Sequence, residues 1–410
     1  MLGINADGLA ALSECVPGAA ALVERSTALT GFILTDERLR SLMSFSATGG
    51  SLVHRGALHD ALAAGLDIER GVRVDQVLVD ASGGVECTLH GCDDRLTADI
   101  VVGADGANSA VRPSVCPGLR REDTGVVGIA AWLPLERVRT RVPQLLAVGG
   151  DRLMRVLGPG ACSWLVMVVS ARDGGAAGDG GAASDGEDAG DRRVLWVFNH
   201  AVAVEGTYDP ESKDPQAWLD FALERAQRPG IHPDLAALVQ ATHAGDMVQP
   251  PKPVFSMDPG EVAAADYQPA CLQDRVVLLG DAAHTMTTHM GLGANTALVD
   301  AAALARHIRT IASAWAASSA TFPHTDDSVR TILADELKTY NTAMRKRGAT
   351  AVRGSLQRTR EMHCATGITA RNWFMWGIGW ILMAVERGLW VWSWIRGGNQ
   401  QRPHSVPATT

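Results

Sequence analysis

No Cys-x-x-Cys pair occurs in this chain; its seven cysteines are scattered over 410 residues. That spacing argues against both a disulfide framework and a structural zinc site. The twelve histidines form no metal-spaced set either. There is no excess of positive charge: 37 Lys and Arg stand against 45 Asp and Glu, a net charge of −8. Nucleic acid is therefore a poor candidate for the main partner. The start of the chain lacks the basic residues and apolar core of a secretory signal, which points to a cytoplasmic protein. The uncharged run at 372–385 is 14 residues long, short of the ~18 that a membrane-spanning helix needs.

What is present is a strand, an acidic turn, a glycine loop and a helix, in that order. The stretch Asp274-Arg-Val-Val-Leu-Leu-Gly-Asp-Ala-Ala-His284 opens with an apolar run at 276–279, as expected for a parallel strand covered on both faces. It delivers Gly280 and Asp281 to a turn of small residues, where Ala282 and Ala283 leave room for close backbone approach. Gly291-Leu292-Gly293-Ala294-Asn295 follows, its glycines permitting several amides to point at one ligand. From Asn295 to Arg309 the apolar positions Leu298, Ala301, Ala302, Leu304, Ala305 and Ile308 predict a helix. The positive end of such a helix stabilises negative charge on an electron-rich ligand.

Upstream, Leu96-Thr-Ala-Asp-Ile-Val-Val-Gly-Ala-Asp105-Gly106-Ala-Asn-Ser109-Ala-Val-Arg112 is a second apolar strand ending in an Asp-Gly turn, with Ser109 placed to cap a short helix. Val53-His-Arg55-Gly-Ala-Leu-His-Asp-Ala-Leu62 reads as a helix start headed by Arg55. An arginine there is electrostatically misplaced, being either simply solvated or set beside a phosphate.

Together these motifs resemble the FAD-dependent aromatic hydroxylases, the salicylate hydroxylase-like flavin monooxygenases. The resemblance implies that Asp281, with Gly280, binds the ribityl chain and that Gly291 to Asn295 line the isoalloxazine ring. It also implies that Asp105 and Gly106 lie near the pyrophosphate and the nicotinamide entry route, and that Arg55 contacts the cofactor. The implied fold is α/β: an incomplete FAD-binding Rossmann-like domain with an inserted mixed-sheet substrate domain and a helical C-terminal tail. The family opens with a Gly-x-Gly-x-x-Gly unit that binds the ADP half, and nothing of the kind precedes Asp105. Residues 1–12 resemble instead the segment that comes after that unit. Met1 as an internal methionine of a longer protein, a shortened gene product, and a rearranged cofactor site are the three explanations. The missing strands would leave apolar edges open and weaken flavin binding.

The expected organisation is a first FAD-binding part at 1–122, a substrate domain at 123–253, a second FAD-binding part at 254–362 and a Trp-rich tail at 363–410. Within the substrate domain, 126–133, 162–169 and 194–204 are β-like. Residues 171–191 are almost entirely Gly, Ala, Asp and Ser and read as a flexible insertion. Pro250, Pro251 and Pro253 mark an extended crossover. Residues 329–360 predict a helix with Ile332, Leu333, Leu337, Tyr340 and Met344 in one stripe. Six of eleven tryptophans fall between Trp373 and Trp394, which suits a helix at a membrane surface or one packed on the core or a dimer partner.

The resemblance implies an FAD- and NAD(P)H-dependent monooxygenase that hydroxylates or epoxidises a small aromatic or polycyclic, secondary-metabolite type of substrate with molecular oxygen, through a flavin hydroperoxide. Two alternatives stay open: an inactive or regulatory fragment without FAD, and a flavin reductase, dehydrogenase or halogenase of related fold. The halogenase motif Trp-x-Trp-x-x-Ile is absent between the flavin motifs. Thr288 stands where many relatives have proline, and no substrate-activating base can be named.

Overall fold

The computed structural model describes residues 1–16, 18, 21–22, 26–46, 50–79, 84–170, 192–206, 214–248, 251–262, 275–317 and 327–363. The insertion at 171–191, the tryptophans of the tail, Asp274 and Pro250 lie outside these residues.

The strands are β1 (Leu2–Ile4), β2 (Thr27–Ala28), β3 (Gly31–Thr35), β4 (Ser41–Ser46), β5 (Ser51–Val53), β6 (Val74–Val79), β7 (Val85–Leu89), β8 (Arg95–Ala98), β9 (Val101–Gly103), β10 (Glu122–Pro134), β11 (Leu153–Leu157), β12 (Cys162–Ser170), β13 (Arg192–Ala201), β14 (Lys252–Ser256) and β15 (Val276–Leu278). The helices are α1 (Ala6–Cys15), α2 (Arg55–Ala63), α3 (Arg112–Val115), α4 (Leu135–Val138), α5 (Pro143–Gly149), α6 (Val202–Glu205), α7 (Pro215–Ala226), α8 (Pro233–Gln240), α9 (Asp281–His284), α10 (Gly293–Ala317) and α11 (Asp327–Met362).

The largest layer is a seven-stranded sheet in the order β14-β10-β13-β12-β11-β3-β4. It is mixed, because β11 pairs with β3 in parallel and every other pair is antiparallel. Alternation decides its faces. Ile129, Ala131 and Leu133 of β10, Trp164 and Val166 of β12, and Trp196 and Phe198 of β13 point outward into one core. There they meet Trp218, Leu219 and Ala222 of α7 and Leu235 and Leu238 of α8. Each fully buried side chain of this size contributes about 1.5–3 kcal/mol. The opposite face of the sheet looks toward the motif-bearing elements. Strands β3 and β4 come from before residue 123 and β14 ends beyond 253, so the sheet draws on more chain than the segment read as the substrate domain. The proline-rich crossover is itself the edge strand β14, where Pro253 opposite Val127 sits at the sheet margin and breaks no interior ladder.

The motif-bearing part is built from smaller pieces. β9 and β15 form a parallel pair, β1, β5 and β2 a second small sheet, and β6, β7 and β8 an antiparallel meander. α10 packs on α1 and α11. α11 carries the stripe expected from its sequence: Leu333, Leu337, Tyr340 and Met344 join Val276, Val277 and Leu278 in a second core. At ~1.5 Å per residue the helix reaches on the order of 50 Å, and Met362 at its far end packs with Leu34, Met43 and Leu157 of the large sheet. One helix thus spans both parts of the fold.

Candidate functional site

The parallel register of β9 and β15 pairs Val101 with Val276 and Gly103 with Leu278. Both strands consequently end at one level, and the Asp105-Gly106 and Gly280-Asp281 turns emerge side by side from their carboxyl ends, where open α/β sheets bind ligands. Gly280 has φ +59, ψ −138, a region closed to other residues, and a Cβ there would come 3.1 Å from Ala297 Cβ. Gly106 takes φ +78 in its turn. The Asp105 carboxylate accepts from the Ala110 amide at 2.6 Å and the Val111 amide at 3.3 Å, so it holds its own loop. Ser109 Oγ accepts from the Arg112 amide at 2.9 Å, but the N-cap position of α3 is Val111, so Ser109 braces the turn before the helix instead of capping it.

Arg112 closes the gap between the two turns. It is buried, and donates to the Ala282 carbonyl at 3.0 Å and to the Ala107 carbonyl at 3.1 Å. Desolvation lowers its pKa. It ends the stretch quoted above, but its role depends on a carbonyl 170 residues later, which no local pattern shows.

Asp281 opens α9 with its side chain exposed and without a hydrogen bond among the described residues. Surrounding protein nevertheless desolvates the carboxyl and raises its pKa, opposed by His284. Gly293 faces it: a Cβ on Gly293 would lie 4.0 Å from Asp281 Oδ1. Gly291 is left-handed, φ +63, with open space where a side chain would be. Leu292 and Ala294 are half-buried between them. The first intrahelical bond of α10 runs from the Thr296 amide to the Leu292 carbonyl, 2.8 Å, so the amides of Gly293, Ala294 and Asn295 precede it, as in any helix start. These are the acceptor and donors that a polyol chain and an anionic ring call for.

Three expectations come out differently in detail. Ala282 and Ala283 are buried in protein and give no surface to a ring. The Asn295 side chain is committed internally: Nδ2 donates to the Gly3 and Gly291 carbonyls at 2.9 and 2.8 Å, and Oδ1 accepts from the Asn5 amide at 2.9 Å. It staples the start of the chain to the glycine loop and leaves only its backbone for a ligand. Arg55, exposed at the head of α2, makes no hydrogen bond or ion pair among the described residues. Leu58, one turn on, belongs to the core cluster with Ile4, Leu12 and Val53 against which Ala294 and Leu298 of α10 pack.

Beneath the Gly280-Asp281 turn lies a buried polar group. His284 Nε2 and Asp300 Oδ2 are 2.5 Å apart and both residues are fully buried. Arg347 Nε donates to Asp300 Oδ1 at 2.7 Å, and Tyr340 donates to the Leu278 carbonyl at 3.2 Å, its own ionisation pushed up by burial and Asp300. Gly348 lets α11 approach: a Cβ there would come 2.7 Å from His284 Cδ2. The signal in the sequence was a lone acid inside the Ala/Leu run of α10. A second buried set joins His289 of the turn before Gly291 to α11, with His289 Nε2 2.9 Å from His363 Nε2 and Thr359 Oγ1 3.0 Å from His289 Nδ1.

Residues 230–321 match the family described as FAD binding domain. The chain is 31% identical over 266 residues to 6-hydroxynicotinate 3-monooxygenase of Bordetella bronchiseptica, an alignment covering 62% of this chain and 56% of that protein. It is 29% identical over 280 residues to 2-heptyl-3-hydroxy-4(1H)-quinolone synthase of Pseudomonas aeruginosa, covering 65% and 58%. The chain thus spans little more than half the length of these curated relatives. Among solved structures, HpxO of Klebsiella pneumoniae complexed with FAD and uric acid superposes with TM-score 0.66 at 18% identity, covering 92% of this chain and 83% of that one. A salicylate hydroxylase substrate complex gives TM-score 0.64 at 18% identity, with 93% and 87% covered. The fold is that of the FAD-binding α/β proteins with a mixed-sheet second part, and residues 230–321 carry the match to the FAD binding domain. Over the aligned residues the chain is similar to FAD-dependent monooxygenases, and its fold is that of the aromatic-hydroxylase structures.

Proposed function

We propose that this chain works as an FAD- and NAD(P)H-dependent monooxygenase on a small aromatic or polycyclic substrate, adding one oxygen atom to it. The observation that carries the reading is the unpartnered Asp281 carboxylate facing Gly293 at the open start of α10. Bound FAD would supply the redox chemistry, taking up a hydride from the nicotinamide and activating oxygen.

The chain's own residues supply binding, orientation and a fixed field. Asp281 would accept hydrogen bonds from ribityl hydroxyls, and the amides at 293–295 would face negative charge on the reduced ring. Asp105 and Gly106 would border the pyrophosphate, and Arg55 would offer it a positive charge from α2. The inner face of the mixed sheet would cover the ring and keep water out. The relatives named for 6-hydroxynicotinate and a quinolone favour a heteroaromatic substrate.

The test is product formation from hydroxylated pyridines, quinolones and phenols by FAD-loaded protein with NAD(P)H. Incorporation of isotopically heavy oxygen gas into product is the expected result. Conversion that proceeds equally well without oxygen would make the protein a reductase or dehydrogenase.

A further inference from the structure

One carboxylate joins the two halves of the candidate flavin site and has no lone pair left over for a ligand. Asp300 is fully buried two turns into α10, on the helix whose first residue, Gly293, faces Asp281. Its Oδ2 lies 2.5 Å from Nε2 of His284 at the end of α9. The Gly280 amide points to the same oxygen from 3.5 Å, the outer limit of a hydrogen bond. Oδ1 accepts from Arg347 Nε of α11 at 2.7 Å. The His284 ring presents its hydrogen from Nε2, because Nδ1 is buried with no partner among the described residues. All three groups around Asp300 are therefore donors, which suits an ionised carboxylate. Backbone closes in around the same point. A Cβ on Gly280 would come 3.1 Å from Ala297 Cβ of α10, and one on Gly348 would come 2.7 Å from His284 Cδ2. The Gly280-Asp281 turn is thus gripped from α10 and α11, while the Asp281 carboxylate itself stays free.

We propose that Asp300 is a positioning residue for flavin binding. By holding His284 and the Gly280 turn against α10, it fixes where the Asp281 carboxylate stands relative to Gly293, and so sets FAD affinity through Asp281 without touching the cofactor. The proposal rests on the flavin-enzyme reading, because it takes Asp281 and the start of α10 as the flavin site. A binding group keeps its geometry only when its neighbours hold it within about 0.5 Å. Asparagine at 300 cannot do this: one amide oxygen cannot serve both His284 and Arg347, and its N–H would face the donor left over.

FAD titration by fluorescence quenching tests this at a temperature where the variants are folded, with the Tm of each variant without FAD read separately. Asp300→Asn should weaken FAD at least ~10-fold, as should Asp281→Ala. The double variant should bind within about threefold of the weaker single one, because both changes act through one carboxylate, whereas independent effects would multiply to ~100-fold. His284→Leu leaves the Asp300–Arg347 pair in place and serves if Asp300→Asn does not fold. It should also lose affinity, and His284→Gln, which offers Asp300 an amide donor, should regain part of it. Leu235→Ala, in the outer core of the large sheet, should lower the Tm and leave FAD affinity unchanged. Folded Asp300→Asn or His284→Leu that binds FAD like the wild type, a multiplicative loss in the double variant, or an equal loss in Leu235→Ala would each overturn the proposal. Wild-type binding that is lost in Asp281→Ala would, in those cases, leave the flavin reading intact. A folded wild type that binds no FAD would overturn both.

Discussion

Replacing Asp300 with alanine removes the acceptor shared by fully buried His284 and by Arg347, whose side chain is 28% exposed. Breaking one partner out of a buried charged set costs about 3–5 kcal/mol. Denaturant unfolding of Asp300→Ala should show a loss of that size, and a loss under 1 kcal/mol (roughly that of a surface pair) would mean the set is not coupled. His200 illustrates the opposite case. It lies fully buried between Phe198 and Phe221 with neither ring nitrogen hydrogen-bonded, and burial, then Arg225, lowers its pKa to about 4. The unfolded imidazole titrates near ~6.5. Stability from keeping it neutral is therefore complete above that value and is lost as pH falls toward 4, by about 3 kcal/mol at ~1.4 kcal/mol per unit. His289, held lower still, acts in the same direction. Melting curves between pH 7 and 4.5 should flatten in His200→Leu; an unchanged slope would show that other groups set the acid limb.

Among elements, α1 approaches α10 closely. A Cβ built on Gly8 would overlap Asn295 Oδ1, which receives the Asn5 amide. Gly8→Ala should therefore displace Asn295 and cost about 1–3 kcal/mol in overpacking. A Tm within 1 °C of the wild type would contradict the close approach (a methyl accommodated freely costs well under 1 kcal/mol). Much at this scale was legible in the sequence. The strand at 276–279, the long helices and the stripe through Leu337 and Tyr340 follow local periodicity, and the two Asp turns follow glycine chemistry. What was not legible depends on pairings between distant segments. β3 pairs with β11 about 120 residues later, so the sheet's true membership needs register that no window contains. Asn295 was read as a ligand-lining residue because the motif is local, whereas its hydrogen bonds reach back to Gly3 and Asn5.

For the whole molecule, α11 and two buried polar sets along it tie the Asp281 turn and the glycine loop to the large sheet. His284 sits under the Asp281 turn against Gly348, while His289 reaches His363 next to the Ala161 carbonyl, 2.8 Å away. Among the described residues the β9–β15 pair is two-stranded and Val102 is 38% exposed. No helix among the described residues is long and apolar enough to cross a membrane. Titration of the purified chain with FAD, followed by fluorescence quenching, tests the central claim that these turns form a flavin site. Saturation at micromolar FAD or tighter (about −8 kcal/mol), weakened at least ~10-fold in Asp281→Ala, is the expected result. Folded protein that leaves FAD fluorescence unchanged, or an Asp281→Ala variant that binds as well as the wild type, would contradict it.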